Sequence, residues 1–478
     1  MYESIFLFIV QVFQPFIDIV GSFISLINDI MNNTVHLIIY NEFTHIAILS
    51  VMALAFAVDG VEMIIRARVA SRNQSLLSEF RADLANNRPS QDPDLTVIMP
   101  AYKNAKEIDR CLHYLLKAGV PRDKILVVDD CSNDNFVTAT TAANYGVKVI
   151  SIGRNTKKVG AVRAGLHAVD TKYVAVLDSD SVMLNSYSTI AKTIQEMEIL
   201  GLDAVAGRVL PCPPASVVGR GLKANKRNLL LEIQTLEFDM TMRVGRGSMY
   251  AIQRLNHSYK LKYAEILLVS GAFGLFRTAM IRDVMDDMKE ETFIGEDCER
   301  TLKLLIKGGK VGYSNDILLL SACKMDLRSH FPQRVSWAAV FLRMYLRRFG
   351  YSVCKRKLAG TTYIVMLVRD VINHPLKILS IPLMFLYPLE FAGLMGFYIA
   401  MNIFLTRTIL ADLRVSPDIL VLDLFYKLYM SVVLTPLGYS QAIFNEIKLH
   451  TIDRNRRTAP IEVVRAWNFP TQPLRVLH

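Results

Sequence analysis

Tyr173-Val-Ala-Val-Leu-Asp178-Ser179-Asp180-Ser181 is a run of apolar, β-prone residues that stops at two carboxylates one residue apart. Such a run reads as a buried parallel strand delivering acid groups to its C-terminal edge. In open α/β sheets ligands bind beyond the carboxyl ends of the strands, and paired carboxylates there suit a hard divalent cation that also holds phosphates. Asp-x-Asp alone is equally a solvated turn after a strand, so the neighbouring segments decide between the two.

Working outward, β-prone runs at 95–102, 124–131, 147–153 and 203–210 alternate with helical patterns. Alternation at this spacing predicts βαβ units and a mainly parallel sheet with helices on both faces. No Gly-x-Gly-x-x-Gly or Walker A loop follows the first strand, so neither a dinucleotide fold nor a P-loop NTPase is supported. A polar connector, 73–93, opens this central domain.

The flanks have a different character. The chain is 52% hydrophobic and its mean hydropathy is +0.27, with the apolar residues concentrated at the two ends. A membrane protein with a polar middle follows. Residues 4–31 place Gln11, Gln14, Asp18, Ser22, Ser25 and Asp29 along one helical stripe, which fits either an interfacial or a spanning helix. Residues 44–65 have the length that crosses a bilayer, and Arg66, Arg68 and Arg72 follow at once. That order predicts a cytoplasmic central domain. No basic segment precedes the first helix, so a cleaved signal peptide is not expected. Beyond the domain, 358–372 reads as an interfacial helix, and 378–405 and 419–443 as spans, the latter carrying Asp423 and Lys427 on one face. Two such spans return a basic tail to the cytoplasm. The net charge of +11 bunches beside the apolar segments, and no basic stripe interleaved with aromatics appears elsewhere. Anionic lipid is therefore the partner it implies, and no nucleic acid. Six cysteines without Cys-x-x-Cys spacing read as reduced thiols.

Within the domain, neighbouring parallel strands bring Tyr102 and Asp130 to one sheet edge, where an aromatic face and a carboxylate can hold a nucleobase; two ordinary loop residues are the plain alternative. The segment 155–165 opens a helix with Lys157, Lys158 and Arg163 together with Gly160 and Gly165, a composition that suits a diphosphate or a solvated basic face.

Asp129-Asp130, Lys158, Asp178-Ser-Asp180, Ser270-Gly271-Ala272, Gly295-Glu296-Asp297 and Gln333-Arg334-Val335-Ser336-Trp337 together resemble the inverting family 2 glycosyltransferases. More narrowly they resemble the membrane-embedded, processive branch that holds the cellulose, chitin and hyaluronan synthases. The likeness covers 94–340 by motif and the flanks by layout. It implies a GT-A-type α/β domain in the cytosol at 94–340. The membrane segment 1–72 precedes it, and interfacial and transmembrane helices at 341–447 and a basic tail at 448–478 follow it. It also implies a multi-pass protein of the plasma or cytoplasmic membrane.

By the same resemblance Asp130 reads the uracil of a UDP-sugar, which Tyr102 at the same sheet edge would help to bind, Lys158 lies near the diphosphate or ribose, and Asp180, helped by Asp178, holds Mg2+ or Mn2+. Asp297 matches the general base, which an inverting displacement needs because the acceptor hydroxyl must lose its proton as it attacks. Ser270, Gly271, Glu296 and Trp337 fall on the acceptor side, and Gln333 and Arg334 on the gating and diphosphate side. The last motif departs from the family pattern, since Ser336 stands where Gln-x-x-Arg-Trp has its arginine. Arg334, Arg343 and Arg347 are candidates to replace it, and the departure bears on processivity more than on transfer. The implied activity is polymerisation of a β-linked polysaccharide with passage through the protein's own helices. The alternatives are transfer of one sugar to a lipid acceptor, or a membrane-anchored scaffold with an inactive transferase fold. Trp337 reads either as a stacking platform for the acceptor or as an interfacial anchor.

Overall fold

The computed structural model describes residues 92–223, 226–246, 268–288, 295–355, 416–452, 463–468 and 472–474, with residues 50 and 266 and a few helical positions between 388 and 403. The readings of 4–31 and 358–372, all of 44–65 but residue 50, and most of 378–405 fall outside the described residues.

Strands β1 (Leu95–Ala101), β2 (Ile125–Asp129), β3 (Lys148–Ile152) and β4 (Tyr173–Leu177) pair in parallel in the order β3-β2-β1-β4. Their residues are buried almost without exception, as continuous apolar runs between two helical layers must be. Helix α1 (Ala105–Lys117) buries Ile108, Cys111, Leu112 and Leu115, one stripe at helical spacing, and α2 (Val137–Ala143) lies beside it. Helix α3 (Lys157–His167) is buried along most of its length. A Cβ at Gly165 would lie 2.6 Å from Ile98 Cγ2, so glycine there lets α3 sit directly on β1.

The parallel core holds as the sequence predicts, and antiparallel strands extend it. β5 (Ser181–Met183), β6 (Ala204–Cys212), β7 (Phe273–Arg277) and β8 (Val311–Ala322) continue the order as β4-β7-β6-β8-β5. Residues 266–269 are β-prone in sequence, but 266, 268 and 269 are not in a strand. Val269 N donates to Thr301 Oγ1, not to a ladder partner, and the strand begins four residues later at Phe273.

Three residues, 178–180, join β4 to β5, although four strand intervals separate them in the sheet. Flat, that is ~19 Å, beyond the ~11 Å that three residues span. The register between β6 and β8 shifts at Gly207/Arg208, where β8 carries three extra residues. The second halves of β6 and β8 therefore swing back, with β5, toward the end of β4. The carboxylate turn Asp178-Ser179-Asp180 sits at that junction.

Helix α4 (Tyr187–Leu200) starts on a Ser186 side-chain cap and stops at left-handed Gly201. Next come α5 (Leu229–Asp239), capped by Asn228, then α6 (Thr278–Asp286), α7 (Glu296–Ile306) and α8 (Leu327–Lys355). Helix α8 runs without a break through residue 340, where the sequence suggests a domain boundary. The expected span 419–443 lies within α9 (Pro417–Tyr429), a π turn at Met430–Leu434, and α10 (Thr435–Ile452). Among the described residues no helix is long and apolar enough to cross a membrane. The tail is not featureless. β9 (Val463–Asn468) pairs antiparallel with β3, and β10 (Gln472–Leu474) pairs with β9.

Candidate active site

The C-terminal ends of β1, β2 and β4, the loop before β7 and the first turn of α7 meet at one edge of the sheet. Lys158, in the first turn of α3, ties three of these elements together. Its Nζ pairs with Asp178 Oδ1 at 2.6 Å and Glu296 Oε1 at 3.2 Å, and donates to Gly271 O at 3.0 Å. All three ammonium donors are therefore committed inside the carboxylate cluster. Burial works against the Lys158 charge, but Asp178 and Glu296 outweigh it and raise its pKa.

Asp297 is the second residue of α7, after a left-handed Gly295. Its Oδ2 accepts from Gly271 N and its Oδ1 from Cys298 N, both at 2.9 Å. Two backbone donors thus fix the plane of the carboxylate. Burial, and next the neighbouring Glu296 charge, raise the Asp297 pKa and strengthen it as a base. Glu296 moves the other way, because Lys158 and Arg300 outweigh the effect of its burial.

At the end of β4, Asp178 is paired with Lys158, and burial raises its carboxyl against that pull. Asp180 has no cation within ion-pair distance among the described residues; burial and the Asp178 charge push it up to about 7. The Asp-x-Asp turn is braced by Asn104, which donates to Ser179 Oγ, and Ser181 Oγ donates to Asp180 Oδ1 at 3.4 Å. Asp178, Asp180, Glu296 and Asp297 share the Lys158 charge, while buried Arg300 acts on Asp178, Glu296 and Asp297 and buried Arg110 on Asp180. The donor atoms are all oxygen, the set a hard divalent cation prefers. Among the described residues no group of three or more metal-ligating side chains occurs. Asp178 and Asp180 alone would supply only part of such a cation's ligands.

Asp130 lies at the end of β2, and its backbone N–H donates to Ala101 O at 2.8 Å. Its carboxylate is buried at the start of α3, where Oδ1 accepts from Thr156 N at 2.6 Å and Thr156 Oγ1 at 2.9 Å. Tyr102, the residue after Ala101, is 45% exposed, with Lys103 Nζ 5.2 Å from its ring centroid. Lys103, Cys131, Asn133, Asn135, Phe136 and Lys157 all have positive φ. Every non-glycine residue of that kind among the described residues lies in the loops of this edge or, for Lys157, at the start of α3, as at many ligand sites.

Ser270 turns the loop before β7 by accepting from Ala272 N at 3.3 Å. A Cβ at Gly271 would lie 2.9 Å from Lys158 Nζ, 3.3 Å from Glu296 Oε1 and 3.5 Å from Asp297 Oδ2. Gly271→Ala should displace an ammonium held by three partners. Turnover is expected to fall on the order of 10–10²-fold with an almost unchanged melting temperature, checked by nucleotide release and thermal denaturation.

The structure does not bring Arg334 to this cluster. On α8 it is 2% exposed and paired with Glu237, Nη1 to Oε1 at 2.8 Å and Nη2 to Oε2 at 2.7 Å. A guanidinium committed in this way is not free to hold a diphosphate, which corrects that expectation. Gln333, half-buried, precedes it. Trp337 is one turn further on and 42% exposed. Arg300 is the site residue that sequence reasoning misses. It lies one turn after Asp297, donates to Val269 O at 3.4 Å and stacks on Phe276 at 5.0 Å. The i,i+3 spacing of Asp297 and Arg300 was its one signal.

Burial raises Asp130 from its ordinary 3.8 to about 6, against the hydrogen bonds from Thr156. The folded state thus holds this proton more tightly than the unfolded chain. Its contribution is unfavourable above pH 6, by about 3 kcal/mol for a shift of this size, and fades as pH falls toward 4. Asp130→Asn keeps an acceptor for Thr156 without the charge. It is expected to melt above the parent at pH 8 and to converge with it near pH 4.

Residues 96–255 match the family Glycosyl transferase family 2. The chain is 22% identical to a poly-beta-1,6-N-acetyl-D-glucosamine synthase of Staphylococcus epidermidis over 289 residues, 60% of this chain and 63% of that one. It thus spans less than two thirds of the curated relatives it first matches. It is 35% identical to the succinoglycan biosynthesis protein ExoO of Rhizobium meliloti over 100 residues, 20% of this chain and 29% of that one. Among solved structures, mannosyltransferase PcManGT from Pyrobaculum calidifontis, in complex with GDP-Man and Mn2+, aligns with a TM-score of 0.47 and 15% identity over 79% of this chain and 99% of its own. With the Asp178-Ser-Asp180 turn and Asp297 both inside one cluster, the chain carries a family 2 glycosyltransferase domain.

Proposed function

We propose that the protein transfers sugar from a UDP-sugar to a carbohydrate acceptor with inversion, and repeats the transfer to extend a β-linked polysaccharide. The observation that carries this reading is the linkage of Asp297 to the Asp178/Asp180 pair through Gly271 and Lys158. A base and a cation-binding pair held in one rigid unit can act on the two sides of one anomeric carbon. The polysaccharide synthases among its relatives support a glycan acceptor.

In this mechanism Asp297 takes the proton of the acceptor hydroxyl as that oxygen bonds to the anomeric carbon and the bond to the diphosphate breaks. The Gly271 and Cys298 amides keep the carboxylate aimed. Lys158 keeps Asp178 and Glu296 in place. A Mg2+ or Mn2+ held by Asp178 and Asp180 would supply positive charge to the leaving diphosphate. Tyr102 offers a face to the base, beside Asp130.

A second reading, one transfer to a lipid acceptor, draws on Ser336 in the motif position and on Arg334 being committed to Glu237. A panel of UDP-sugars with Mn2+, followed by UDP release and product size, separates the two. A ladder of increasing length supports polymerisation, and a single organic-soluble product supports the lipid acceptor. No UDP release with any donor would leave the scaffold reading.

We also place the domain on the cytoplasmic face of a membrane, with the tail on the same side. Pairing of β9 with β3 supports the second part, because both strands belong to one sheet.

A further inference from the structure

Behind Trp337 lies a buried polar cluster that the transfer reaction does not use. The Arg334 guanidinium is 4.5 Å from the Trp337 ring centroid and 5.5 Å from that of Phe238, and the two rings are 6.0 Å apart. Glu237 of α5 pairs with both terminal guanidinium nitrogens, and Arg334 Nε donates to His330 Nε2 at 3.0 Å. Tyr426 of α9 completes the cluster, donating to Glu237 Oε2 at 3.0 Å. His330 is fully buried, and burial with the adjacent Arg334 charge lowers its pKa to about 4. It is therefore a neutral acceptor here, and Glu237 is the counter-charge in contact with Arg334.

This cluster is close to the chemistry. Val340, one turn after Trp337, packs where Gly295 would carry a side chain: a Cβ there would lie 2.5 Å from Val340 Cγ1. Gly295 leads directly into Glu296 and Asp297. Trp337 is thus displaced only ~4.5 Å along α8 from the residue that touches the catalytic turn.

We propose that Arg334 is a positioning residue for the acceptor: the Glu237–Arg334 ion pair clamps the Trp337 indole from behind and fixes it as a platform on which a pyranose stacks. The inference rests on the reading of a glycan acceptor beside Asp297. The physical reason is preorganisation. A large ring already held in one orientation loses little freedom when the ligand arrives, and its exposed surface remains available. It also gives the arginine of an imperfect motif a task other than phosphate binding.

The chain has two tryptophans, so Trp467→Phe leaves Trp337 as the single indole reporter. In that background Glu237→Gln with Arg334→Gln replaces the ion pair by neutral amides and strands no buried charge. Arg334→Lys keeps the charge without the planar fork and serves as a second variant should the double one fail to fold. Without ligand, both are expected to show greater acrylamide quenching and lower anisotropy of Trp337; values equal to the parent would overturn the clamp. With a β-1,6-linked N-acetylglucosamine hexamer as probe, the parent emission should respond saturably. The Gln/Gln variant should bind about three- to tenfold more weakly, and the lysine variant should lie between. UDP release by slow donor hydrolysis should stay within about twofold in each. Equal hexamer affinity in parent and variants would overturn the inference and leave the acceptor reading standing. No response in a parent that still hydrolyses donor would overturn the acceptor reading at Trp337, and the inference with it.

Discussion

Asp297→Asn is expected to remove turnover, on the order of 10²–10⁴-fold, while the nucleotide sugar binds almost as before. The carboxylate receives two backbone N–H donors, from Gly271 and Cys298, and touches no cation within ion-pair distance among the described residues. Its raised pKa reflects burial and the neighbouring Glu296 charge, so it is poised to accept a proton. Asparagine is the same size and keeps one acceptor oxygen, but its NH2 meets the second backbone donor. That costs about 1–3 kcal/mol locally, which is offset by removing a buried charge. Stability should therefore change little. A base acts mainly in the transition state, so the loss belongs in turnover and not in donor affinity. Calorimetric titration with UDP-sugar and Mn2+, beside single-turnover transfer, separates the two quantities. A donor affinity that falls in step with turnover would reassign Asp297 to the cation site.

Much of this site is legible before any coordinates. Asp178 and Asp180 stand out because an apolar β-run must end at the sheet edge, and Asp297 because helical spacing begins just after it. Tyr102 and Asp130 follow from adjacent parallel strands, whose register places Ala101 beside Asp129. The antiparallel β7 escapes sequence reading because 266–269 and 273–277 are both β-prone; only the side-chain capture of Val269 N by Thr301 decides between them. Arg334 shows a different limit. As a candidate to replace the missing motif arginine it suggests phosphate, but Glu237 lies 97 residues away in sequence, and nothing local reveals that α5 delivers a carboxylate to α8. Lys158 falls between these cases. Its nearness to the Asp-x-Asp turn follows from the fold, whereas full commitment of its three donors depends on Glu296 and the Gly271 carbonyl, both more than 100 residues distant.

Asp180→Asn is expected to abolish cation-dependent donor binding while making the cation-free protein more stable. Asp178 is already neutralised by Lys158 at 2.6 Å, so Asp180 holds the less compensated charge of the pair. Its pKa, pushed up to about 7 by burial and by Asp178, measures the penalty of keeping that charge. Asparagine relieves the penalty, and at pH 8 the melting temperature without metal should rise. The same change removes one negative charge from the cluster. For one charge against another at ~4 Å and an effective dielectric of 20 the attraction is about 4 kcal/mol, roughly 10³-fold in affinity, and a divalent ion would feel no less. The two effects have opposite signs, which distinguishes loss of a ligand from damage to the fold. Mn2+ titrations monitored by UDP binding, with thermal melts in chelator, measure both. If Mn2+ still drives UDP binding in the variant with its original midpoint, the cation is held elsewhere and the charge cluster serves only to anchor Lys158.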